Sequence, residues 1–130
     1  MPVTELRLVL TVDDFDRATA IFRDALGLKQ IAAWHNNGGQ IVLLDAGHAT
    51  LEIIDERQAQ AIDDIEVGRR VAGRVRIAFG SSDSESDARA LAAAGVPIIA
   101  GPVITPWRDR NVRLQGPEEI QLTLFTPLGG

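Results

Sequence analysis

Residues 40–54, QIVLLDAGHATLEII, lie without a gap over residues 111–125, NVRLQGPEEIQLTLF, at an offset of 71 positions. Ile41 falls over Val112, Leu43 over Leu114, Leu51 over Leu122 and Ile53 over Leu124, so apolar positions match apolar positions. Upstream, residues 7–11 (RLVLT) lie over residues 76–80 (RIAFG) at an offset of 69, and Asp14 lies over Asp83. Gly27-Leu28 lies over Gly95-Val96 after a one-residue deletion. Self-similarity at this spacing means that one structural plan is used twice.

Each half opens with an aliphatic and β-branched run, residues 5–12 and 74–80, that reads as a buried strand. A helix follows. In the first half Phe15, Ala18, Ile21, Phe22, Ala25 and Leu26 share one face of a 3.6-residue period. Asp13 or Asp14 can cap its start, and Gly27 can take the left-handed conformation that ends it. In the second half a helix over residues 84–94 has Ser84 and Asp87 at capping-box spacing and Gly95 with Pro97 as stop signals. Three strands follow each helix, near residues 29–35, 39–45 and 49–54, then near 97–103, 110–115 and 120–126. The turns between them are rich in Asn and Gly, with Gly116-Pro117-Glu118-Glu119 before the last. The polar, mixed-charge stretch 56–73 lies outside the repeat and reads as a linker between module 4–55 and module 74–127. The expectation is an α+β fold, βαβββ twice, in one domain covering residues 1–130.

Composition narrows the function. The chain has 130 residues, 45% hydrophobic and 24% charged, which suits one globular core. Its 13 basic and 18 acidic side chains give a net charge of −5, which repels a phosphate backbone, so nucleic acid is not an expected partner. With no cysteine, disulfides, thiolate metal sites and cysteine nucleophiles are excluded. No run approaches the roughly 20 apolar residues that span a bilayer, and residues 1–10 lack the basic start of a secretion signal, so the expectation is a cytoplasmic protein without a membrane partner.

The duplicated βαβββ plan, the run VDDFDRATAIFRDALGLK and the hairpin GPEEIQLTLF together resemble the vicinal oxygen chelate superfamily, the glyoxalase, bleomycin-resistance and extradiol-dioxygenase group. The resemblance covers nearly the whole chain. It implies two modules whose sheets form a curved cup, with a ligand or divalent metal inside, and a homodimer whose subunits complete the cups. In metal-binding members the ligands stand on the first and fourth strands of each module. Those positions correspond here to Arg7, Glu52, Arg76 and Thr123. Only Glu52 binds a cation well, because guanidinium has no free lone pair and a lone threonine hydroxyl is a poor ligand. His48 cannot join Glu52 on one metal, since four residues of strand span roughly 13 Å. The expectation is a cup with no metal and no cofactor.

Strand alternation puts Arg7, Val9 and Thr11 on one face and Leu6, Leu8 and Leu10 on the other, toward the helix layer. Arg76 and Ala78, Glu52 and Ile54, and Thr123 and Phe125 follow the same rule. If the strands curl as in the family, Arg7, Glu52 and Arg76 converge with a local charge of about +1, which favours an anionic or electron-rich ligand. The alternative is an ion pair that only fills the place of a metal. Trp34-His35 and Pro106-Trp107-Arg108 could stack on a flat ligand, with Arg110 a further candidate contact; equally, the tryptophans could buttress a sheet edge or a dimer contact and His35 could be an exposed capping residue. Asp109, Arg110 and Arg113 read as a solvated cluster.

Three functions follow. The first is a metal-free protein of the bleomycin-resistance kind that binds or sequesters a planar or anionic organic molecule. The second is a metal-independent isomerase, lyase or hydrolase with Glu52 as general base, a role that two adjacent arginines would weaken by lowering its pKa. The third is a metal-dependent glyoxalase or dioxygenase.

Overall fold

The computed structural model describes residues 2–129. The first module consists of β1 (Val3–Val12), α1 (Phe15–Thr19) running on as a π-helical stretch (Ala20–Ala25), β2 (Lys29–Asn36), β3 (Gly39–Asp45) and β4 (Thr50–Asp55). Helix α2 (Glu56–Glu66) joins it to the second module, β5 (Val75–Ser81), α3 (Ser84–Ala93), β6 (Ile98–Ile104), β7 (Asp109–Gln115) and β8 (Gln121–Pro127). The α+β fold expected from the repeat is present, with strand limits within a few residues of those read from the sequence.

The eight strands form one curved, unclosed sheet in the order β2-β3-β4-β1-β5-β8-β7-β6. At its centre β1 and β5 pair antiparallel, while β4 runs parallel to β1 and β8 parallel to β5. The modules thus meet edge to edge.

Helices α1 and α3 cover the convex face. Under α1 lie Ala18, Val42, Leu44, Leu51 and Ile53, with Phe15 and Phe22 packed against them. Under α3 lie Ala88, Val112, Leu114 and Leu124, with Leu91 and Val96 alongside. Each fully buried aliphatic side chain contributes on the order of 1.5–3 kcal/mol. Asp14 caps α1 by accepting from Arg17 N at 3.0 Å, and Gly27 takes a φ of +87° at the end of the helical segment, where a side chain would be strained.

Three expectations change. The cap of α3 is Asp83, which accepts from Ser86 N at 3.1 Å; Ser84 is instead buried, its Oγ donating to Arg110 O at 2.8 Å. Leu6 and Leu8 point to the convex side but remain exposed, because α1 and α3 pack over the outer strands and leave the middle of the sheet uncovered. The stretch taken as a plain linker carries α2, capped by Asp55, which accepts from Gln58 N at 2.8 Å. This helix packs on the concave face, where Ala59 and Ile62 form a third apolar cluster with Val9, Ile41 and Ile54, flanked by Trp34 and Trp107.

Candidate functional site

The concave face, roofed on one side by α2, encloses a cavity of about 340 Å³. Pairing register explains what lines it. Across the sheet, Leu43, Glu52, Val9 and Arg76 stand in one row, and Arg7, Ala78, Thr123 and Arg113 in the next. Alternation turns these side chains to the same face, so Arg7, Glu52, Arg76 and Thr123 all line the cavity, as do Trp34, Trp107, Asp109 and Phe125.

Two predicted site residues are elsewhere. His35 follows Trp34 on β2 and Arg110 follows Asp109 on β7, so each points away from the cavity that its neighbour lines. Arg113 also differs from expectation: far from being solvated, it is among the most buried side chains of the chain. It shares the inward parity of Asp109 and Asn111.

Burial of so many charges is possible because α2 supplies matching carboxylates. Asp63, completely buried, accepts from Arg76 Nη1 at 3.0 Å and Arg113 Nη1 at 2.9 Å through Oδ1. Its Oδ2 accepts from Arg70 Nη1 and from the backbone N–H groups of Val71 and Ala72, at 2.8 to 2.9 Å. Glu66 accepts from Arg113 Nη2 at 2.8 Å and Asn111 Nδ2 at 2.9 Å. Burial pushes the Asp63 carboxyl upward, but Arg76, the two backbone donors and Arg113 together outweigh it and hold its pKa at about 2. Burial likewise lowers the Arg76 guanidinium, with Asp63 acting against it.

Glu52 is held differently. It accepts from Arg7 Nη1 at a long 3.4 Å through Oε1, and its second oxygen has no hydrogen-bond partner among the described residues. Arg7 is shared: it donates to Glu5 at 3.0 Å and lies over the Phe125 ring, 4.7 Å from its centroid. Burial raises the Glu52 pKa more than Arg7 and Arg76 lower it. The sequence-based expectation that the arginines dominate is corrected here: Arg7 is divided between two acids and Arg76 belongs to Asp63. Burial also raises the Asp109 carboxyl, with Arg7 acting against it.

The expected local charge of about +1 also changes. Two lining cations, Arg7 and Arg76, face three lining carboxylates, Glu52, Glu66 and Asp109, so the formal sum is 2 − 3 = −1. Glu66 and Asp109 escaped the sequence reading because they come from the linker and from a presumed surface cluster. Polar atoms remain open as well. Trp34 Nε1 and the Nε and Nη2 of Arg76 are buried without partners among the described residues.

The positions that correspond to metal ligands in the family do not fit a divalent ion. Arg7 and Arg76 are permanent cations at two of them, and Arg7 already occupies an oxygen of Glu52. Among the described residues no group of three His, Cys, Asp or Glu side chains could hold a metal. Among the described residues no helix is long and apolar enough to cross a membrane.

With this geometry in view, the family model described as Glyoxalase/Bleomycin resistance protein/Dioxygenase superfamily matches residues 6–124. No curated protein sequence matches the chain significantly. Among solved structures, a Streptomyces coelicolor methylmalonyl-CoA epimerase variant in complex with 2-nitronate-propionyl-CoA has a TM-score of 0.69 at 21% identity, covering 98% of this chain and 100% of that one. Methylmalonyl-CoA epimerase from Mycobacterium tuberculosis has a TM-score of 0.71 at 20% identity, covering 98% and 90%. The hypothetical protein BH1468 from Bacillus halodurans C-125 has a TM-score of 0.70 at 16% identity, covering 95% and 94%.

Proposed function

The chain belongs to the glyoxalase/bleomycin resistance protein/dioxygenase superfamily, and from that premise we propose that it binds a flat organic molecule in its cup without a metal. The observation that carries this reading is the 340 Å³ cavity walled by Trp34, Trp107 and Phe125, three of whose four metal-equivalent positions, Arg7, Glu52 and Arg76, are already in ion pairs. That volume suits a small ligand, and an apolar wall with a few placed polar groups is the usual form of a ligand site. Two solved relatives of the same fold hold organic thioesters, 2-nitronate-propionyl-CoA and methylmalonyl-CoA. In this chain Trp34 and Trp107 line the cavity and contribute stacking area. His35 and Arg110 have no part in this site. The dimer and the cytoplasmic location implied earlier stay proposals; gel filtration tests the first and fractionation the second.

The test uses the tryptophans. The chain has two Trp and no Tyr, and both Trp line the cavity, so a ligand in the cup should quench indole fluorescence saturably and raise the unfolding temperature. Recovery of the compound unchanged supports binding. A panel of flat aromatic compounds that neither quenches nor stabilises contradicts it.

A second reading, proton transfer by Glu52, is favoured by its open oxygen and raised proton affinity. In that case a substrate turned over by the wild type is not turned over by Glu52→Gln, although it still quenches fluorescence.

A further inference from the structure

The convex side of the sheet is bare at its centre. Leu8 pairs with Ile77, Leu6 with Phe79 and Leu10 with Val75, so the middle strands β1 and β5 present three apolar pairs to that side. Leu6, Leu8 and Val75 are 42%, 38% and 44% exposed, and none of them belongs to an apolar cluster of the core. Helix α1 stands over β3 and β4, and helix α3 over β7 and β8. Their axes are thus four strand spacings apart, about 19 Å along the sheet. Packed helices lie about 8–10 Å apart. The helix layer is therefore short of one helix, and the floor of the empty slot is aliphatic.

We propose that this slot is the interface between two copies of the chain, set back to back with their cups facing outward. The floor alone amounts to a few hundred Å², enough to mark a contact site but less than the roughly 800 Å² per partner of a stable interface. A lone helix or peptide laid in the slot covers little more than the floor. A second copy, apposed by its own convex face, also covers the flanks of α1 and α3 and brings the contact to standard size. Charge points to the same occupant. The chain carries a net charge of −5, yet residues 6, 8 and 10 of β1 and 75, 77 and 79 of β5 include no ionisable group. Two acidic chains meet there without opposing like charges, and a charged partner finds nothing to pair with.

The sheet edges are poorer candidates. Edge strand β6 exposes Ile98 and Ile104, but it carries Pro102 and two register shifts, which spoil it as a template for another strand. Edge strand β2 exposes Ile31, which lies inside a register shift of its own. The family resemblance implied subunits that complete each other's cups. Here Arg7, Glu52 and Arg76 stand on three adjacent strands of one chain, so each cup is built by a single copy and a back-to-back contact leaves it open. The inference therefore stands apart from the ligand reading.

Sedimentation of the intact chain over a range of concentrations tests it. The wild type should run as a dimer. Leu8→Glu puts a charge on the slot floor and should raise the dimer dissociation constant at least about a hundredfold. Its tryptophan emission should match the wild type, since Trp34 and Trp107 line the cup on the other face. Ile31→Glu and Ile104→Glu, on the edges, should remain dimeric. A wild type that is monomeric at every concentration, a dimer that survives Leu8→Glu, or one that an edge variant dissociates overturns the proposal. Should Leu8→Glu fail to fold, Leu8→Cys decides, because the chain has no cysteine of its own. Leu8 and Ile104 are both exposed in the single chain. In concentrated protein the thiol of Leu8→Cys should be alkylated at least about tenfold more slowly than that of Ile104→Cys, and similar rates overturn the proposal.

Discussion

Arg76 of β5 and Asp63 of α2 meet at 3.0 Å inside the cup, and both are buried. This pair joins a sheet position that corresponds to a metal ligand in the family to a helix lying between the two repeats. Without Asp63, Arg76 would be an uncompensated buried cation, since this is its one ion pair among the described residues.

Removing the acid should therefore be costly. Asp63→Asn leaves Arg76 and Arg113 short of a counter-charge and is expected to lose about 3–5 kcal/mol in urea unfolding at neutral pH. A loss under about 1 kcal/mol would mean that α2 is not anchored by this network.

The same residue predicts an acid transition. Asp63 lies at about 2, below the ordinary 3.8, so the folded chain releases this proton more readily than the unfolded one. Its contribution, roughly 2 kcal/mol, is complete above the ordinary aspartate range and is lost as pH falls through about 2. Unfolding free energies measured from pH 5 downward should show this component in the wild type and lack it in Asp63→Asn.

Glu52 has the opposite sign. Its pKa is raised, so the stability tied to it is present below the ordinary glutamate range and is lost as pH rises through the folded value. Glu52→Gln should gain on the wild type as pH rises from acid to neutral. A gap between the two that is flat with pH would show that burial does not dominate at Glu52.

The seating of α2 can be tested by packing alone. A Cβ at Gly39 would stand 2.3 Å from Gln58 N and 2.5 Å from Gln58 Cα, and backbone atoms cannot step aside as a side-chain tip can. Gly39→Ala should cost about 1–3 kcal/mol. Gly73→Ala, with nothing within 4 Å and no positive φ, should change stability by no more than about 0.5 kcal/mol.

The repeat and the alternation of its strands carried most of this architecture into view. Val9 lies beside both Glu52 and Arg76 in the sheet, and the parity of Arg7, Val9 and Thr11 was enough to place four strand positions on one face. Helix α2 was hidden because the side that it buries includes Gln58, Asp63 and Glu66, and polar residues read as solvated unless their partners are known. Those partners, Arg76 and Arg113, are 13 and 50 residues from Asp63 along the chain. A local signal did exist: Asp55 stands three residues before Gln58, and Ala59, Ile62 and Glu66 follow at helical spacing. His35 and Arg110 were chosen for their neighbours, although the alternation that turned Trp34 and Asp109 inward turns them outward.

The most direct test of a cup whose metal positions are filled by guanidinium groups is titration of chelator-treated protein with zinc, manganese, cobalt and nickel, following thermal unfolding and bound metal together. The account predicts no stoichiometric ion and the same midpoint with and without metal, in the wild type and in Glu52→Gln alike. One equivalent of a divalent ion that raises the midpoint of the wild type and is lost in Glu52→Gln would contradict it.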